Sequence, residues 1–172
     1  MDIYYEIIGE GFPLVLLHGN NEDHHVFDEA VKLLAKEYQC ILIDSRYHGQ
    51  SIHKGDLSYQ QMCEDVQAVM THLHIEAYDV IGFSDGAIVS LLLGLSDQRL
   101  KHIVSIGANT KPCMIKPFYR FYDYVMLICL MPFCLYNSKA RRTFQLIRLM
   151  QKQPQLNYKD LQKIHIPVLV MA

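Results

Sequence analysis

Apolar positions along this chain follow two alternating rhythms. Short, mostly apolar runs at residues 14–17 (LVLL), 40–43 (CILI), 78–81 (YDVI) and 102–106 (HIVSI) have the length of strands buried on both faces of a parallel sheet. Between them, apolar residues fall three and four apart, the period of a helix with one buried face. Phe27, Val31, Leu34 and Tyr38 follow the first run in this way, with Asp23 placed as a cap. Met62, Val66, Val69 and Leu73 follow the second, behind Ser58 and Gln61, which fit an S-x-x-Q capping box. Residues 87–95 (AIVSLLLGL) are apolar on nearly all sides, so that helix belongs at the centre of the domain. A further strand-like run, residues 3–8 (IYYEII), ends at the turn Gly9-Glu10-Gly11-Phe12-Pro13. Strands and helices in strict alternation predict an α/β domain: a mostly parallel sheet covered by helices on both faces, its ligand at the carboxyl ends of the strands.

The alternation stops at Lys111. Residues 111–155 carry helix-like aromatic stretches broken by Pro112, Pro117 and Pro132, with Phe118, Tyr119, Phe121, Tyr122, Tyr124 and Phe133 crowded together. We read them as a helical cap inserted into a core made of residues 1–110 and 156–172; the bland alternative is a pair of packing helices that never meets substrate. Lys139, Arg141, Arg142, Arg148 and Lys152 form a basic cluster on the second of these helices. It reads first as a solvated face, and second as a binder of an anionic substrate group. Asn157 with Asp160 then opens a short helix, and residues 167–172 (PVLVMA) open one more strand.

One hexapeptide carries chemistry. Ile81-Gly82-Phe83-Ser84-Asp85-Gly86 sits between a strand-like and a helix-like run, and G-x-S-x-G in that setting is the turn that lifts a serine hydroxyl above a parallel sheet. The spacing alone is weak; its flanks make it specific. Ser84 is therefore the candidate nucleophile. The glycine frame also decides against Asp85 in that role, because Gly82 and Gly86 are each two residues from Ser84.

Composition narrows the picture. A chain of 172 residues with 51% hydrophobic and 20% charged residues suits one globular domain, and a net charge of -2 offers nothing to nucleic acid. The five cysteines are odd in number and contain no C-x-x-C pair, and no signal peptide precedes them, which predicts free thiols and a cytoplasmic location. Residues 124–136 are uncharged but far short of the roughly 20 residues a spanning helix needs. His24 and His25 are adjacent and expected to point apart, so no metal site is predicted, and no cofactor is implied.

In this order the motifs resemble the α/β-hydrolase superfamily, in particular its small esterase- and lipase-like members with a helical cap. The matching pieces are residues 14–19 (LVLLHG), 44–51 (DSRYHGQS), 82–86 (GFSDG) and 164–170 (IHIPVLV). The resemblance implies the α/β-hydrolase fold and a serine hydrolase for an ester, thioester or related acyl bond, acting through an acyl-enzyme on Ser84. The backbone N–H groups of Asn20 and Asp85 would form the oxyanion hole. The partner implied is a small-molecule acyl substrate with an apolar moiety, with no nucleic acid and no stable membrane span; the oligomeric state is not read. Two departures stand out. Tyr47 occupies a place where the pattern often has glycine. The triad acid and histidine, which follow the serine in the order Ser, Asp or Glu, His, are not found after the strand that opens at Pro167. Neither His18, His48, His165 nor Asp123 is well placed to substitute. The expectation is a fold lacking its last strand and helix, and the alternative function is a truncated or non-catalytic hydrolase-like protein.

Overall fold

The apolar runs become the strands of one six-stranded sheet. The structure, a computed structural model, describes residues 2–51, 55–114 and 116–171. Its strands are β1 (Tyr5–Ile8), β2 (Phe12–Leu17), β3 (Tyr38–Ile43), β4 (Tyr78–Phe83), β5 (Leu100–Ile106) and β6 (Val168–Met171), in the spatial order β1-β3-β2-β4-β5-β6. All neighbours are parallel except β1, which runs antiparallel to β3. Ala172, the last position of the run at 167–172, lies outside the described residues.

Two-residue alternation explains why LVLL is apolar throughout. Val15 and Leu17 face a core built with Met62, Val66, Val69 and Ile88, whereas Leu14 and Leu16 face Phe27 and Val31 on the opposite side. Each such side chain, buried almost completely, contributes about 2 kcal/mol of apolar burial. The second face is covered by α1 (Asp28–Leu34), entered through a 3-10 turn over His24–Phe27 that Asp23 caps by accepting from the His25 N–H at 3.1 Å. Tyr38 departs from expectation. Its spacing from Leu34 fits a helix, but it starts β3 opposite Phe12, because strand pairing outweighs one coincidental helical interval.

The first face carries α2 (Tyr59–His72) and α3 (Asp85–Ser96). Ser58 caps α2 by accepting from the Gln61 N–H at 3.1 Å, but the Gln61 amide turns to Glu64, so only half of the expected box forms. Helix α3 is buried from Asp85 through Leu91, as its unbroken apolar sequence requires.

The segment after β5 folds into α4 (Pro117–Leu130) and α5 (Ser138–Lys152), followed by α6 (Tyr158–Leu161), whose cap Asn157 and Asp160 form a complete capping box. The two long helices differ in attachment. Helix α5 buries Ala140, Leu146, Ile147 and Leu149, and Leu149 joins the main core. No residue of helix α4 is fully buried; Phe118 is 73% exposed and Ile128 72%. The edge strand β6 likewise exposes Leu169, Val170 and Met171. Among the described residues no helix is long and apolar enough to cross a membrane.

Candidate active site

Ser84 stands alone between β4 and α3, in a backbone conformation that only a tight junction forces. Its φ of 51° and ψ of -110° are strained for a residue with a Cβ, at a cost of about 1–3 kcal/mol. Neighbouring hydrogen bonds hold it there: the Ser84 N–H donates to the Ile106 carbonyl at 2.8 Å, and the Gly86 N–H to the His18 carbonyl at 3.1 Å. Neither flanking glycine can carry a side chain. A Cβ on Gly82 would lie 2.3 Å from the Gly86 carbonyl oxygen, and one on Gly86 only 2.1 Å from that of Leu17. Helix α3 thus starts pressed against the end of β2, with Ser84 at the carboxyl edge of the sheet.

The loop after β2 closes on the same point. A Cβ on Gly19 would come within 3.1 Å of the Ser84 Cβ, and the Gly19 N–H is held by the Glu22 carboxylate at 2.9 Å. Asn20 follows, and its side-chain amide donates to the Asp85 carboxylate at 3.2 Å. The three residues singled out from the sequence, Asn20, Ser84 and Asp85, are therefore brought together.

Asp85 holds more than the sequence suggested. Its side chain is 6% exposed and receives the Tyr59 hydroxyl at 2.9 Å as well as Asn20. Burial pushes this carboxyl up to about 6, against the pull of those two donors. Tyr59, buried itself, is driven upward by burial and by Asp85. A signal for Tyr59 existed: it stands three residues before Met62 and so extends the apolar stripe of α2. Nothing in the sequence pointed to the buried carboxylate.

The loop after β3 is structural in its contacts. Asp44 is fully buried; one oxygen accepts from the His24 N–H and ring, the other from the Gln50 N–H at 2.8 Å. Burial alone would raise its carboxyl, but these bonds outweigh it and hold it low. Arg46 forms a two-pronged ion pair with Asp65 of α2 at 2.6 and 2.8 Å. Tyr47 sits at φ 67°, which accounts for the glycine expected at that place, and its hydroxyl donates to the Gly55 carbonyl at 2.6 Å.

His18 and His48, the histidines of the two flanking loops, are committed elsewhere. His18 Nε2 accepts from the Ser45 N–H at 3.0 Å, which leaves Nδ1 to donate to the Gly19 carbonyl at 2.7 Å. Its ring meets His48 edge to face at 5.1 Å, and burial lowers both, His48 to about 4. Among the described residues no histidine hydrogen-bonds to the Ser84 hydroxyl. His24 and His25 do not point apart as expected: their ring centres are 4.1 Å apart, and with Asp23 they form a group whose ligand atoms lie within 4.8 Å. The 3-10 turn, tighter than the helix start assumed, brings the rings together, yet Asp23, His24 and His25 are already paired with the His25 N–H, Asp44 and Asp28.

Comparison with known proteins agrees with this fold. Residues 13–126 match the alpha/beta hydrolase fold family. A putative esterase/lipase of Haemophilus influenzae is 29% identical over 100 residues, covering 58% of this chain and 35% of that protein. An sn-1-specific diacylglycerol lipase of Danio rerio is 29% identical over 138 residues, covering 78% and 43%. A pimeloyl-[acyl-carrier protein] methyl ester esterase of Aeromonas hydrophila is 30% identical over 118 residues, covering 67% and 44%. This chain thus spans less than half the length of these curated relatives. Among solved structures, an esterase from Exiguobacterium antarcticum superposes with a TM-score of 0.80 at 20% identity, over 98% of this chain and 75% of that one.

Proposed function

We propose that this chain, which belongs to the alpha/beta hydrolase fold family, is an acyl hydrolase whose nucleophile is Ser84. The observation that carries the reading is the strained Ser84 backbone, wedged between two glycines that admit no Cβ. Strain of this kind persists where the surroundings over-determine it, as functional sites do. The Ser84 hydroxyl attacks the carbonyl carbon of an ester, thioester or related acyl bond, and the alcohol or thiol leaves with the serine proton as the acyl-enzyme forms. Water then cleaves that acyl-enzyme to release the acid and restore the hydroxyl. The negative charge that develops on the carbonyl oxygen is received by the backbone N–H groups of Asn20 and Asp85. Asp85 is the first residue of α3, so its N–H is among those a helix leaves without an internal acceptor, and the helix dipole favours an anion there. Losing one such donor costs about 3 kcal/mol in the barrier.

Residues 111–155 act in this reading as a cap over the core formed by residues 1–110 and 156–172. Their exposed aromatic side chains favour a small-molecule substrate with an apolar moiety. Relatives named as an esterase and a lipase support an ester over other acyl bonds. The free cysteines fit a reducing, cytoplasmic setting.

A second reading, a hydrolase-like protein without catalysis, is favoured by one observation. Among the described residues the Ser84 hydroxyl has no histidine partner to take its proton. Hydrolysis of p-nitrophenyl esters of two to eight carbons by the wild type and by Ser84→Ala decides between them. Turnover abolished by the substitution supports the acyl hydrolase; no turnover above the Ser84→Ala background supports the second reading.

A further inference from the structure

Residues 111–155 hold eight of the chain's 16 Lys and Arg residues but one, Asp123, of its 18 carboxylates. The first turns of α5 bring three of these cations to the wall of a cavity of about 740 Å3, a volume suited to a small organic ligand. Lys139, Arg141 and Arg142 line it from α5; Asn21 lines it from the loop after β2, and Tyr47 and Ser51 from the loop after β3. Among the described residues no carboxylate lines it.

The cations are not equivalent. Arg141 is committed, donating to the Cys134 carbonyl at 2.9 Å and to that of Leu135 at 3.3 Å, where it closes the turn before α5. Among the described residues the side chains of Lys139 and Arg142 have no hydrogen-bond or ion-pair partner. Arg142 is half-buried, so its charge is partly taken out of water with nothing to offset it. That charge reaches into the domain: after burial and His18, it is a further influence holding His48 neutral. The α5 N-terminus adds little, because Asn137 already takes the N–H groups of Lys139 and Ala140. The site rests on side chains.

Ser84, Asn20 and Asp85 do not line this cavity, but its wall includes the loop that reaches the nucleophile. Asn21 adjoins Asn20, whose amide binds Asp85, and Gly19 of the same loop packs against Ser84. We infer that this cavity binds an anionic group, a phosphate or a carboxylate, carried by the molecule whose acyl bond lies at Ser84. A guanidinium recognises either anion through two parallel N–H donors, and a partly buried, unpaired one gains most from such a partner. That the anion is part of an acyl substrate rests on the acyl-hydrolase reading; that the cavity binds an anion does not.

Calorimetric titration of the full chain with hexyl phosphate, hexanoate and hexanol tests it. Both anions are expected to bind at least ten-fold more tightly than the alcohol. Arg142→Ala and Lys139→Ala each reduce hexyl phosphate affinity about ten-fold, while Arg148→Ala, on the same helix but outside the cavity wall, leaves it unchanged. Dihexanoyl phosphatidate below its micellar concentration distinguishes the source: binding tighter than hexyl phosphate marks a lipid headgroup, equal or weaker binding a soluble anion. Ser84→Ala binds as the wild type does, so failure of the catalytic reading leaves this result intact. Anions that bind no better than hexanol, or an Arg142→Ala variant that binds like the wild type, overturn the inference.

Discussion

Replacing Asp85 with Asn keeps the shape of a buried side chain and removes its charge. In the folded protein this carboxyl titrates near 6 rather than at its ordinary 3.8. Between those values the folded state holds a proton that the unfolded chain has released, so stability falls as pH rises through this window. A difference of about two pH units is worth about 3 kcal/mol, reached in full above pH 6 and absent below about pH 4. The side chain is almost fully buried, so solvent screening takes little from this figure. Asp85→Asn should therefore be more stable than the wild type at pH 8, by up to about 3 kcal/mol, and nearly equal to it at pH 3.5. The new amide has partners in place: the Tyr59 hydroxyl can donate to its oxygen, and the Asn20 Oδ1, buried and unpaired, can accept from its nitrogen after a flip of the Asn20 amide. Urea denaturation of both proteins at half-unit intervals from pH 3.5 to 8 measures the difference directly, and other titrating groups cancel. A variant that is less stable at pH 8, with a deficit independent of pH, refutes the reasoning and shows that the carboxylate is favoured where it lies.

His48 makes the opposite contribution. Its folded value of about 4 lies below the ordinary 6.5, so the wild type should lose about 3 kcal/mol as pH falls from 6.5 to 4, and His48→Gln should flatten that slope in the same denaturation series. Asp65→Ala strands Arg46, 5% exposed, without its partner and should cost about 3–5 kcal/mol, read as a fall in the urea midpoint. Gly86→Ala forces a Cβ onto the Leu17 carbonyl, backbone that cannot turn away, and should cost about 3 kcal/mol in a thermal melt. An unchanged melt would show that the α3–β2 junction is looser than described.

Features that depend on neighbours in sequence were legible in the chain. LVLL at residues 14–17 announced a strand buried on both faces, and the hexapeptide around Ser84 announced the strand-to-helix turn that the positive φ now displays. Features that depend on what meets across the fold were not. That β1 runs antiparallel to β3 is a matter of pairing between strands more than 30 residues apart, and Tyr38 matched a helical interval while pairing with Phe12 of β2. The His24 and His25 rings meet, tilted by 37°, within a 3-10 turn, a local choice with no mark in the residue types. The Asp85 carboxylate looked incidental beside Ser84; its burial against Tyr59 exists only once α2 and α3 pack together. Tyr47 shows the converse. It stands out in the sequence as a departure from a glycine, and its φ of 67° shows what the glycine is for.

Labelling by a fluorophosphonate probe tests the central claim most directly, because the reagent bonds covalently only to a serine activated within a site. The full chain is incubated with the probe, and the adduct is located by mass spectrometry of its peptides. One adduct on Ser84 is expected, lost in Ser84→Ala and kept in Arg142→Ala. Equal labelling of the wild type and Ser84→Ala, or no labelling of the wild type, would contradict it.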